Sequence, residues 1–214
     1  MSNAPATASA PEPEFGHEAG YASGRARRQR IVAEATQLFG RVGFHGATVL
    51  DIAAQCGISR AGLLHHFPTK ESLLRAVLEE RDHAELVRFR ENGSTGRDGL
   101  GVLRGMIDLV AYNSNLSGIV ELYAVLSAEA SDPKHPAHEY FVERYKRIRA
   151  GTVWALRRAE AAGYLVEGTD VEDTAIELTS LIDGLQIQWL LAPDEIDMAK
   201  QLRKRMQQVV TVTL

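Results

Sequence analysis

Between Thr48 and Lys70 the 214-residue chain concentrates side chains suited to binding: Thr48, Ser59, Arg60, His65, His66 and Lys70. Thr48 and Lys70 fall at expected helix N-termini, where free N–H groups and the helix dipole favour an anion. The other candidate clusters offer less. Adjacent His65 and His66 project roughly 100° apart on a helix and cannot easily share a metal ion. Asp132, His135 and His138 surround the Pro-containing stretch 131–136 and read as a solvated loop. The glycines of 40–46 follow a helical pattern, not a strand, so they do not make a dinucleotide loop. No Gly-rich phosphate loop, paired metal-ligand motif or nucleophile elbow is found, and the expectation is a non-enzyme with no metal and no cofactor. Cys56, the single cysteine, reads as a small packing residue in a reducing compartment.

The elements that must position these residues are helical. Ile31, Ala35, Leu38, Phe39 and Val42 share one face of a helix that begins near Arg25 and ends at Gly43. Thr48 caps a short helix that stops at Gly57, and Ser59 caps a second one through His66. Ala53 allows the pair to pack closely, Gly57 supplies a left-handed turn and Ile58 anchors that turn. So short a second helix has no stability of its own and must be held by its neighbours, as a helix presented to a DNA major groove is. A long helix follows over 70–91, and Asn92–Gly99 is the expected domain boundary. Further helices are expected near 100–115, 116–130, 137–162, 171–191 and 194–210. The fold class is all-α with about nine helices. Residues 1–23, rich in Ala, Pro, Ser, Thr and Glu, read as a disordered tail.

The net charge of −4 hides an uneven distribution. Residues 21–90 carry eleven Arg and Lys against seven Asp and Glu, whereas the flanking segments are acidic. A basic module on an acidic body suits a nucleic-acid partner, with Arg25, Arg27, Arg28 and Arg30 beside the helix pair. No apolar run is long enough to span a membrane and no secretory signal pattern is present, so the expected location is the cytoplasm.

Residues 25–85 resemble the DNA-binding domain of the TetR family of repressors. The resemblance is carried by Ile31, Ala35, Leu38–Phe39, Gly43–Phe44, Thr48, Asp51–Ala54, Gly57–Ser59 (the core of a helix-turn-helix over 48–67), His66–Phe67, Lys70–Glu71 and Leu73–Leu74. It implies that Arg60, Ala61, Gly62 and His65 face base edges, with Arg60 reading guanine, that Thr48, His66 and Lys70 touch phosphate, and that Ser59 and Leu64 belong to the same DNA-binding set. Leu64 departs from the family, many of whose members carry a tyrosine there. Leu63 and Phe67 read as core.

The resemblance also implies that residues 95–214 bind a small-molecule effector and dimerise, and the stretch 181–191 is similar to the BetI-like branch. Tyr112, Asn113, Tyr123, Phe141, Tyr145 and Trp154 are the candidate pocket residues, an aromatic set with a few polar handles. Leu178, Ile182, Gly184, Leu185 and Trp189 of one amphipathic helix, with Leu202 and Met206 of the next, are the candidate dimer face. Ser180, Gly184 and Gln188, four apart, lie beside that stripe. The expected partners are double-stranded operator DNA, a second copy of the chain and an unidentified effector. A two-fold dimer would match a palindromic operator.

Overall fold

The computed structural model describes residues 15–91, 98–116 and 118–214. Nine helices are present among them: α1 (Phe15–Gly46), α2 (Val49–Gln55), α3 (Arg60–His66), α4 (Lys70–Glu91), α5 (Leu100–Asn113), α6 (Ile119–Glu129), α7 (His138–Ala161), α8 (Val171–Leu191) and α9 (Met198–Gln207). β-Pairing among the described residues is limited to an isolated antiparallel bridge, Leu165 with Val210. No helix among them is long and apolar enough to cross a membrane.

Local chemistry explains most of the boundaries. The helical geometry of α1 breaks at Gly43, whose φ of 73° lies in the left-handed region, and one further turn runs to Gly46. Thr48 closes a capping box with Asp51. At the far end of α2 the Ile58 amide bonds to the Ala53 carbonyl and the Gly57 amide to that of Ala54, each at 3.0 Å, the pattern of a Schellman cap around Gly57. Ser59 then caps α3 by accepting from the Gly62 amide at 3.0 Å.

One expectation needs correction, and another falls mostly outside the described residues. α1 begins at Phe15, so residues 15–23 of the stretch read as a disordered tail are helical, while 1–14 lie outside the described residues. The boundary placed at 92–99 lies mostly outside them too, and apolar packing joins the helices before it to α6 and α7 after it. One apolar cluster runs from Ile31, Phe39, Ile52, Leu63, Phe67 and Leu74 of α1–α4 into Leu122 and Leu126 of α6 and Phe141 of α7. A second joins Leu103, Ile107, Leu156, Leu178, Leu202 and Met206 of α5, α7, α8 and α9. α6 can lie against α1 because Gly40 faces its N-terminus; a Cβ there would sit 3.1 Å from the Gly118 carbonyl oxygen and 3.2 Å from the Leu122 nitrogen.

Candidate nucleic-acid interface and effector core

α3 is built to be held on one side and open on the other. Leu63 and Phe67 are fully buried among α1 and α4, whereas Ser59, Arg60, Ala61 and His65 are exposed and Gly62, Leu64 and His66 are half-buried. Arg28 of α1 clamps the C-terminal end: its guanidinium lies 4.1 Å from the Phe67 ring centroid and donates to the His66 carbonyl at 3.2 Å. Arg25, Arg27 and Arg30 stay exposed on the same helix. The candidate base-reading residues therefore share one accessible helix face flanked by cations, which can accept the edge of a DNA groove.

Two residues assigned to phosphate by resemblance are already engaged inside the chain. The Thr48 hydroxyl donates to Asp51 Oδ2 at 2.6 Å and accepts from the Asp51 amide at 3.1 Å. Lys70 Nζ donates to the carbonyls of Phe44 at 2.8 Å and Ala47 at 2.9 Å, and sits 4.2 Å from the Phe44 ring centroid. Both residues thus shape the helix-turn-helix first. Lys70 braces the end of α1 because the carbonyls there lack helical partners. His66 is held below the usual histidine range, first by burial and then by His65, Arg27 and Arg28. At neutral pH it offers an N–H donor and no charge.

In the larger helical body the six candidate pocket residues part company. Tyr123 and Phe141 are buried and Tyr145 is half-buried, with the Phe141 ring centroid 6.4 Å from that of Tyr145. Asn113 faces Arg81, whose guanidinium donates to its Oδ1 at 3.4 Å. Trp154 is a correction: it is 46% exposed and packs against Arg158 on the surface. Tyr112 is 37% exposed and stacks on the half-buried Arg88, where it lines an open cavity with Asp108 and Asn115, apart from Tyr123, Phe141 and Tyr145. Trp154 leaves the core because Ala155 and Leu156 occupy the inward face of that turn of α7.

Sequence reasoning missed a charged network beside Tyr123. Arg144 donates to Asp82 Oδ1 at 2.8 Å and Glu85 Oε2 at 2.9 Å, and its guanidinium lies 4.2 Å from the Tyr123 ring centroid. Tyr140 also donates to Asp82 Oδ1 at 2.8 Å, and Arg147 to its Oδ2 at 2.7 Å. Burial alone would lower the Arg144 pKa, but Glu85, Tyr123 and Tyr140 outweigh it and the guanidinium is held more firmly charged. Burial raises Tyr123 well above its ordinary range, against the pull of Arg144. Tyr145 is pushed up to about 12, by burial and then by Asp183, with which it shares a hydrogen bond. Tyr123 OH, Glu85 Oε1 and Arg81 Nε are buried without a protein hydrogen-bond partner. In sequence these α4 and α7 charges look like ordinary solvated faces; only their convergence from two helices marks them.

The candidate dimer residues also divide. Leu178, Leu185, Leu202 and Met206 are buried inside the protomer and cannot form an external face, whereas Ile182, Gly184 and Trp189 are half-buried. The outward face of α8 instead carries Ile176, Ile187 and Leu191, which are 52%, 56% and 81% exposed. No group of three or more His, Cys, Asp or Glu side chains able to hold a metal occurs among the described residues.

Comparisons with known proteins agree with this architecture. Residues 31–77 match the family model for bacterial regulatory proteins of the tetR family, and residues 124–213 match that for the C-terminal part of BetI-type transcriptional repressors. The probable HTH-type transcriptional regulator ArpR of Pseudomonas putida is 27% identical over 83% of this chain and 86% of its own. A putative transcriptional regulator from Saccharomonospora viridis, in complex with choline, superposes with a TM-score of 0.75 at 24% identity, covering 86% of this chain and 98% of the other. SmeT of Stenotrophomonas maltophilia, in complex with triclosan, does so with 0.72 at 22%, covering 87% and 92%. These structural likenesses establish the fold. An N-terminal helix-turn-helix on a helical C-terminal domain is the architecture of an HTH-type transcriptional regulator. The chain belongs to the TetR family, whose members are transcriptional regulators and not enzymes.

Proposed function

We propose that the chain is a cytoplasmic, homodimeric repressor that reads a palindromic operator through α3 and is released by a small-molecule effector. The observation that carries this reading is the division of α3, with Leu63 and Phe67 locked inside and Arg60, Ala61 and His65 free outside. Arg60 bonds guanine, Ser59, Gly62, Leu64 and His65 line the groove, and phosphates are met by His66 and the exposed arginines of α1. The exposed apolar face of α8, with Ser180 and Gly184 beside it, supports an isologous interface.

The effector seats beside Tyr123, Phe141 and Tyr145, next to the Arg144 network. α4 supports the coupling because it carries Lys70, which braces the helix-turn-helix, and also Asp82 and Glu85, which bind Arg144. An effector that binds one arrangement of α4 better than the other shifts the population of DNA-competent dimers. Solved relatives of this fold in complex with choline and with triclosan support a ligand-binding role. The test is in vitro transcription from a promoter overlapping a duplex obtained by binding-site selection with this chain. Transcript should fall as the chain is added; a rise, or no change at concentrations that saturate the duplex, contradicts the repressor reading.

A further inference from the structure

We propose that Glu129, at the end of α6, is a positioning residue that sets the helix-turn-helix against the effector-binding body. The inference rests on operator reading by α3, proposed above. Glu129 Oε2 accepts from the Phe44 amide at 2.7 Å, across 85 residues of sequence. The opposite side of Phe44 is held from α4, since Lys70 Nζ bonds the Phe44 carbonyl at 2.8 Å. One residue is therefore gripped by two helices, and the next carbonyl that Lys70 holds, Ala47, directly precedes the Thr48 cap of α2.

The approach is purpose-shaped. Gly43 has a φ of 73°, and a Cβ there would overlap the Glu129 carboxylate. Behind Glu129 lies His135, whose side chain is fully buried and whose Nδ1 accepts from the Ala137 amide at 3.1 Å. That bond leaves the neutral ring's proton on Nε2, 3.6 Å from Glu129 Oε2. The rings of Phe44 and His45 stand edge-on to His135, each with centroids 5.3 Å away, and wall the contact. Because α6 also meets α1 at Gly40 through Gly118 and Leu122, a tilt of α6 about that close contact would pull on Phe44 and so on the start of α2.

The experiment compares wild type, Glu129→Ala and Glu129→Gln on a selected operator duplex and on a random duplex of equal length. Positioning matters for specific binding, while non-specific binding depends on charge alone. Glu129→Ala should lose about tenfold in operator affinity, within the worth of one hydrogen bond to a charged group. Its affinity for the random duplex should stay within about twofold, and Glu129→Gln, whose amide oxygen still accepts, should recover most of the loss. Unchanged operator affinity in Glu129→Ala, or equal loss on both duplexes without rescue by Gln, overturns the proposal. If Glu129→Ala does not fold, amide exchange in the wild-type chain decides: protection of Phe44 comparable to Phe39 supports the contact, and unprotected exchange refutes it. Failure to select any specific duplex would count against operator reading itself, while Phe44 exchange would still judge the contact.

Discussion

Ile187→Glu is expected to convert the proposed dimer into monomers and to abolish tight operator binding without unfolding the protomer. Ile176, Ile187 and Leu191 expose 52%, 56% and 81% of their surface and fall on one face of α8, within roughly 60° of one another at helical spacing. Full burial of such a side chain is worth about 1.5–3 kcal/mol, so the exposed halves of Ile176 and Ile187 are worth roughly half of that each, and a two-fold interface counts every one twice. A glutamate at the centre removes that gain and adds two carboxylates with no partner. The dimer dissociation constant should rise by about a hundredfold or more. Operator affinity should fall at least as far, because each helix-turn-helix then binds its half-site alone. Sedimentation velocity and helical circular dichroism read both sides: a dimer that persists at micromolar concentration places the interface elsewhere.

The second large effect is on stability. Arg144→Leu leaves Glu85, only 11% exposed, without its ion-pair partner, while Asp82 keeps Arg147 and Tyr140. Removing one partner of a buried pair costs about 3–5 kcal/mol, and the cost here should fall near the lower end because Asp82 remains satisfied. Urea denaturation should show a lower midpoint at unchanged slope. Adding Glu85→Leu should restore most of the loss, since the stranded charge is then gone. A loss below about 1 kcal/mol would mean that the network is wetted and contributes little.

What was legible in the sequence was governed by local rules. Thr48, Gly57 and Ser59 announce their caps because cap chemistry depends on residues three or four positions away. The apolar face of α1 and the inward Leu63 and Phe67 follow from helical periodicity. Several residues had two uses for one chemistry. Leu178, Leu185, Leu202 and Met206 suit a protomer core and a dimer face equally, and periodicity cannot say which neighbour covers them. Lys70 could grip a phosphate or two carbonyls, and the choice depends on Phe44 and Ala47, 26 and 23 residues away. Trp154 and Tyr112 are aromatic, yet aromatic type does not reveal which side of a helix faces inward. The Arg144 network and the Glu129 contact were not legible at all, because they join residues 58 to 85 positions apart. The one departure from the family pattern, Leu64, is half-buried on α3, so it completes the helix surface without supplying a polar contact.

The central claim, that α3 reads bases through Arg60, is tested most directly by binding-site selection run in parallel on wild type and Arg60→Ala. The wild-type chain should return two inverted half-sites about one DNA turn apart, each with a strongly preferred G·C pair. Arg60→Ala should keep the spacing and lose the preference at that pair, at a cost of about 1–3 kcal/mol in affinity for the wild-type site. The same base preference retained by Arg60→Ala would contradict the account.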